Sequence, residues 1–180
     1  MKHAILAILL PLLLGACGGT TPGPDGGPLP APTATAALID AAGKRIGIAT
    51  FTAGDSGATL AISVAGLPPG EHGLHVHQNG DCTPPAFTTA GPHFNPAGRQ
   101  HGLESPNGPH AGDLPNLRIE ADGSADTTLP LSAALLQPGD GSILGARPTA
   151  LVIHAGPDDQ RTDPSGSSGD RIACGVIRGG

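Results

Sequence analysis

The chain has 180 residues, enough for one folded domain with a tail. Its 29 glycines and 20 prolines border on low complexity, and Trp and Tyr are missing, yet short runs of Leu, Ile, Val and Ala can build a single core. Nine basic residues stand against 15 acidic ones, a net charge of −6 with no basic patch and no aromatic ladder, which argues against nucleic acid as a partner.

Residues 1–16 open with Met1-Lys2 and continue as an apolar stretch interrupted by Pro11. This is too short for a membrane span and suits a signal peptide. It ends in Leu14-Gly15-Ala16-Cys17, which resembles the lipobox of bacterial lipoproteins. The resemblance implies cleavage before Cys17, a lipid anchor on that residue and a position in the cell envelope, periplasmic or on the outer surface. Ordinary export with a chance cysteine is the plainer alternative. Either way the mature chain is expected outside the cytoplasm, where disulfides persist. Residues 17–35, rich in Pro, Gly and Thr, read as a tether from the lipidated cysteine. At about 3.1 Å per residue it could hold a domain up to roughly 50 Å from the membrane.

The domain is expected over 36–180. "ALID" and "RIGIATFTA" flank the turn "AAGK", and "ATLAISVAGL" follows "GDSG". Leu60, Ile62 and Val64 alternate with small or polar residues, as in a half-buried strand. "PPGEHG" breaks the chain before "LHVH"; "NLRIEADGSADTTLPL" reads as two strands around a glycine turn, "SILGARPTALVIHAG" as two more, and "RIACGVIR" as the last. No segment carries a helical period over ten residues or more. The pattern predicts an all-β fold, a sandwich or barrel. Segments 81–113 and 155–171 show little strand pattern; loops of that length in a compact domain are either functional or a misreading of the elements, and the histidines gathered in the first favour function.

Seven histidines follow Cys17: His72, His75, His77, His93, His101, His110 and His154. In a strand, His75 and His77 point to one face. Neutral imidazole is the commonest metal ligand, so the set reads as metal-binding. A loose metal sponge would place its histidines in a run rather than spread over strands and one loop. His72, three residues before His75, should face the other way and is expected at the surface.

Five segments, "LHVHQNGDC", "AGPHFNPAGRQH", "PHAGDLPN", "LVIHAGPDD" and "GDRIACGVI", resemble in order the signature segments of the copper–zinc superoxide dismutase family in its bacterial secreted form. The resemblance implies a Greek-key β-sandwich or flattened barrel, a metal-ligand loop and an electrostatic loop. It implies copper on His75, His77, His93 and His154, with His93 bridging to zinc on His93, His101, His110 and Asp113. It implies a Cys82–Cys174 disulfide, Arg171 beside copper as a catalytic residue with His93, and Asp158 linking the two sites behind the ligands. By its position alone Asp158 is a turn residue next to Asp159. Superoxide is the implied substrate, converted to oxygen and hydrogen peroxide, and a homodimer is compatible with the family. The alternative is an envelope copper- and zinc-binding protein without significant turnover.

The chemistry agrees with these roles. Three histidines and a carboxylate form a closed four-coordinate zinc site, and such binding orders a loop whose own apolar content cannot. An all-imidazole copper site with access to solvent suits redox work. A bridging imidazole must lose both ring protons, which two flanking divalent ions make feasible. Asp158 could orient His75 and His101 through their free ring N–H groups. With Cys17 lipidated, two cysteines remain, and their bridge would close a loop of about 90 residues, worth roughly 4–5 kcal/mol in the chain-entropy model. The net negative charge repels superoxide, so local cations must attract it. Besides Arg171, the loop 155–171 holds Arg161, which reads either as a steering residue or as a solvated surface charge.

Overall fold

The computed structural model describes residues 33–54, 57–137, 139 and 141–180. The segment read as a signal peptide, Cys17 and most of the segment read as a tether lie outside the described residues. Nine strands occur among the described residues: β1 (Thr33–Asp40), β2 (Arg45–Gly54), β3 (Gly57–Ala65), β4 (Gly70–His72), β5 (Leu74–His77), β6 (Leu117–Ile119), β7 (Ser124–Leu131), β8 (Ala150–His154) and β9 (Arg171–Gly179). Two short 3-10 turns, Thr88–Ala90 and Ala133–Leu136, complete the regular structure of the described residues. The fold is all-β, as expected. β1 begins at Thr33, three residues ahead of the boundary read at residue 36.

Seven strands form one curled antiparallel sheet in the order β5-β8-β9-β1-β2-β3-β7, and β4 pairs with β6 separately. Alternation drives this. In β1, Ala34, Ala36 and Leu38 are buried while Thr35 and Ala37 are exposed; in β3, Leu60, Ile62 and Val64 face inward. These residues meet Phe51, Leu74, Leu117, Leu151, Ile153 and Ile177 in one core.

β5 and β8 depart from alternation, because every residue in both is buried. One face of each joins the core through Leu74, Val76, Leu151 and Ile153. Their other face, carrying His75, His77 and His154, is covered by the long segment after β5, which holds no regular structure beyond the turn at 88–90. A buried face made of imidazoles is costly unless each ring finds a partner.

Two expectations need correction. "SILGARPTALVIHAG" contributes one strand, β8, not two. Ser142–Arg147 fold as turns, with Gly145 and Pro148 breaking any strand, while buried Ile143 is tied through its carbonyl to Thr149 Oγ1 at 3.1 Å. His72 is buried, 3% exposed, because the strand does not run through Gly73. β4 pairs with β6 and β5 with β8, so the face that His75 adopts says nothing about His72.

Candidate metal centre

β5 and β8 are antiparallel neighbours, with His75 opposite Val152 and His77 opposite Ala150. Residues directly opposite share a face, so His154, two positions beyond Val152, joins the two histidines of β5. The pairing of β8 with β9 shifts register between Ile153 and His154, the kind of irregularity that re-aims a side chain. The loop adds His93, bridged in backbone to His77, and Asp113, bridged to His75.

The hydrogen bonds fix which nitrogen each ring offers. His77 Nδ1 donates to the Gly91 carbonyl at 2.7 Å and His154 Nδ1 to that of Gly169 at 3.0 Å, leaving both Nε2 lone pairs inward. These two Nε2 atoms lie 3.4 Å apart. His75 Nε2 donates to Asp158 Oδ2 at 2.7 Å, leaving Nδ1. His75 Nδ1 and His93 Nε2 are buried with no hydrogen-bond partner among the described residues. Orphaned buried donors or acceptors are rare and costly, and both belong to a four-histidine set, His75, His77, His93 and His154, whose ligand atoms lie within 4.8 Å of one another. A cation among them satisfies both orphans.

The other nitrogen of His93 faces a second cluster. Asp113 Oδ1 lies 3.0 Å from His93 Nδ1, 3.0 Å from His101 Nδ1 and 3.3 Å from His110 Nδ1. His110 Nδ1 is 3.4 Å from His93 Nδ1. Four ligands at zinc bond lengths sit at the corners of a tetrahedron with edges of about 3.3 Å, and these four separations match four of its six edges. Asp113 Oδ2 accepts the backbone N–H groups of Gly102 (2.8 Å) and His110 (2.9 Å), which turns Oδ1 alone toward the rings. One imidazole, His93, thus gives a nitrogen to each cluster.

Asp158 stands behind both. It accepts from His75 through Oδ2 and lies 3.0 Å from His101 Nε2 through Oδ1. Asn116 holds its backbone from both sides. Gly166, at φ 61°, passes so close that an added Cβ would fall within 1.7 Å of Asp158 Oδ1, so no other residue leaves room for this carboxylate.

Burial and charge set the titration. Burial pushes His77 down to about 2, against the pull of the Gly91 carbonyl and with help from His93, Arg171 and His154. Burial lowers His154 to about 3 and His93 to about 4, the latter despite Asp113. Burial also acts on His101, but the bonds to Asp113 and Asp158 outweigh it and raise this ring to about 9. In the same way Asp113 and Asp158 are held well below the ordinary carboxylate range, their histidine hydrogen bonds exceeding the cost of burial. His77, His93 and His154 therefore stay neutral, metal-ready imidazoles.

Arg171 opens β9 and reaches back to the loop. Its Nη1 donates to the Phe87 carbonyl and its Nη2 to the Gly91 carbonyl, both at 2.7 Å. Gly91 O is also the acceptor for His77, so one oxygen ties the arginine to a candidate ligand. Arg171 lines a cleft of about 430 Å³ with Pro85, Ala86, Thr88, Gly169 and Asp170. Cys82 and Cys174 form a disulfide with Cα atoms 5.6 Å apart. Arg161 sits in an exposed ion pair with Glu104.

Two participants escape sequence reasoning. His72 Nδ1 lies 2.7 Å from the His154 carbonyl and Nε2 2.9 Å from that of Pro68, bracing the strand end that carries His154. The Phe87 carbonyl meets Arg171, and nothing in the local sequence marks it.

The chain is 45% identical over 147 residues to a "Superoxide dismutase [Cu-Zn] 2" of Aquifex aeolicus, covering 81% of this chain and 86% of that one. A solved SOD-like protein from Bacillus subtilis superposes with a TM-score of 0.75 at 39% identity, covering 79% of this chain and 96% of the other. The Cu/Zn superoxide dismutase from Brucella abortus superposes with a TM-score of 0.67 at 30% identity, over 80% and 98% of the two chains. The family model for copper/zinc superoxide dismutase matches residues 45–177, a span that contains every ring and carboxylate described above, and the chain belongs to that family.

Proposed function

We propose that the two clusters divide two metals: His75, His77, His93 and His154 hold copper, and His93, His101, His110 and Asp113 hold zinc. The reaction is the dismutation of superoxide to oxygen and hydrogen peroxide, with copper and zinc as cofactors. Bound copper supplies one-electron exchange, and bound zinc orders the loop.

The protein's own groups do the rest. Arg171, fixed by two carbonyls, keeps further N–H groups free of protein partners among the described residues, and these attract and orient the anion at the cleft. His93 Nε2, unpartnered toward the first cluster, is the atom placed to hold and deliver a proton, while its Nδ1 stays anchored in the second. Asp158 and the carbonyls of Gly91 and Gly169 hold the rings in the tautomers that present their lone pairs inward.

The observation that carries this reading is the pair of orphaned nitrogens, His75 Nδ1 and His93 Nε2, within one four-histidine set. Protein loaded with copper and zinc should destroy superoxide catalytically, and chelated protein should not. Full metal content without accelerated decay would leave a metal-binding protein and refute the enzyme.

The chain is also exported and lipid-anchored at Cys17, in the cell envelope. The lipobox-like Leu14-Gly15-Ala16-Cys17 supports this, and so does the Cys82–Cys174 disulfide, which suits an oxidising compartment.

A further inference from the structure

Phe87 has a left-handed backbone, φ 52° and ψ 25°, at the start of the turn Thr88–Ala90. Bulky side chains rarely adopt this conformation, whereas Gly and Asn do so readily. Such outliers persist only where the surroundings over-determine them, and they gather at functional sites. Here the surroundings are visible. The Phe87 ring is fully buried and packs in a small cluster with Ala90, Ala150, Val152 and Cys174, flanked by Ile39 and Cys82. Cys174 lies on β9, three residues beyond Arg171. The ring therefore fastens the loop to the same strand that carries the arginine. The carbonyl of this strained residue accepts Arg171 Nη1 at 2.7 Å and the Ala90 N–H at 3.1 Å.

We propose that Phe87 is the positioning residue for Arg171: its buried ring holds a left-handed backbone whose carbonyl sets the direction of the guanidinium. Of the two carbonyls that grip Arg171, that of Gly91 is shared with His77 and has no side chain behind it. Phe87 supplies the grip that a side chain locks. The proposal rests on the reading that Arg171 orients superoxide.

The test is a double-mutant cycle on metal-loaded protein, Phe87→Gly and Arg171→Ile, alone and together. The readouts are the second-order rate with superoxide and competitive binding of azide as an anion probe. Glycine keeps the backbone conformation available and removes the anchor. Phe87→Gly should slow the enzyme by about three- to thirtyfold, as expected for a misdirected orienting group, and weaken azide binding. In the Arg171→Ile background it should cost nothing further. Equal loss in both backgrounds marks a purely structural ring and overturns the proposal, as does an unchanged rate in Phe87→Gly when Arg171→Ile is slow. If Arg171→Ile itself is as fast as wild type, the reading of Arg171 fails first. Should Phe87→Gly not retain both metals, Phe87→Leu, which keeps an apolar anchor, enters the same cycle: a smaller loss that vanishes without Arg171 supports the proposal, and a loss in both backgrounds or in neither overturns it.

Discussion

Arg161 and Glu104 form an ion pair between the loop after β8 and the loop after β5, with Arg161 Nε donating to Glu104 Oε2 at 2.8 Å. The partner carboxylate cancels much of the field that Arg161 would project as a steering charge, and Arg171 carries the cation of the cleft. Arg161→Ala should change the rate with superoxide by less than about twofold at physiological salt, since exposed pairs contribute little and are screened. A severalfold loss, restored by Arg161→Lys, would return Arg161 to the steering role.

One ring serving two clusters has a compositional consequence. His93→Ala removes a ligand atom from each side, Nε2 from one and Nδ1 from the other, so copper and zinc should both weaken by at least about tenfold. His154→Ala touches only the first cluster and should spare zinc. Metal analysis after dialysis against a weak chelator checks this. Loss of copper alone from both variants would deny His93 its bridging place.

The metal-free protein should be most stable near pH 6.5. His77, His93 and His154 have folded-state values of about 2, 4 and 3, below their ordinary 6.5. Below pH 6.5 the unfolded chain binds protons that the folded rings refuse, so stability falls as the pH drops toward 4. His101 works in the opposite sense. Raised to about 9, it adds stability that is complete below 6.5 and lost as pH climbs through 9. Asp113 and Asp158, both depressed, add stability that disappears only below about pH 4, where carboxylates ordinarily protonate. Thermal unfolding across pH 4–9 should trace this dome, and a midpoint flat from 4.5 to 6.5 would contradict the burial of neutral rings. Zinc uptake at pH 7 should release about one proton, because His101 must give up the one it carries.

What the sequence discloses follows from how local each signal is. His75 and His77 share a face by strand period alone, and the alternation of Leu60, Ile62 and Val64 marks a half-buried strand without help from afar. His72 defeats the same argument, because Gly73 ends one pairing and starts another. Arg161 looks free in sequence since its partner lies 57 positions away. Phe87 is illegible for a further reason: nothing about phenylalanine favours a left-handed backbone, and only the buried cluster around Cys174 imposes it. Asp158 reads as a turn residue until the chain folds two histidines, 83 and 57 positions distant, onto its two oxygens.

Export and anchoring are tested at Cys17. Cys17→Ser removes the thiol that would carry the lipid and should move the protein from the membrane fraction to the soluble one, with its activity unchanged. Continued membrane retention would refute the lipid anchor.

Arg171 is tested by a graded series at full metal occupancy. If it only braces the start of β9, Arg171→Lys should behave as wild type, since charge and stem remain. The structure sets a stricter demand. Two N–H groups of one planar guanidinium must reach the Phe87 and Gly91 carbonyls together, while others stay available to the anion. An ammonium is a point charge without that fork, so Arg171→Lys should be slower by about two- to tenfold. Arg171→Ile removes the only cation that lines the cleft among the described residues and should cost about tenfold or more. Arg171→Glu should be slowest, because Asp170 already places a carboxyl residue there and a second would repel superoxide outright. Salt separates attraction from orientation. Wild type should slow as ionic strength rises and screens the attraction, whereas Arg171→Glu should slow far less or speed up. The lysine variant should keep the wild-type salt slope at a lower rate, since it retains charge and loses only geometry. Equal rates for Arg, Lys and Ile would remove Arg171 from the reaction.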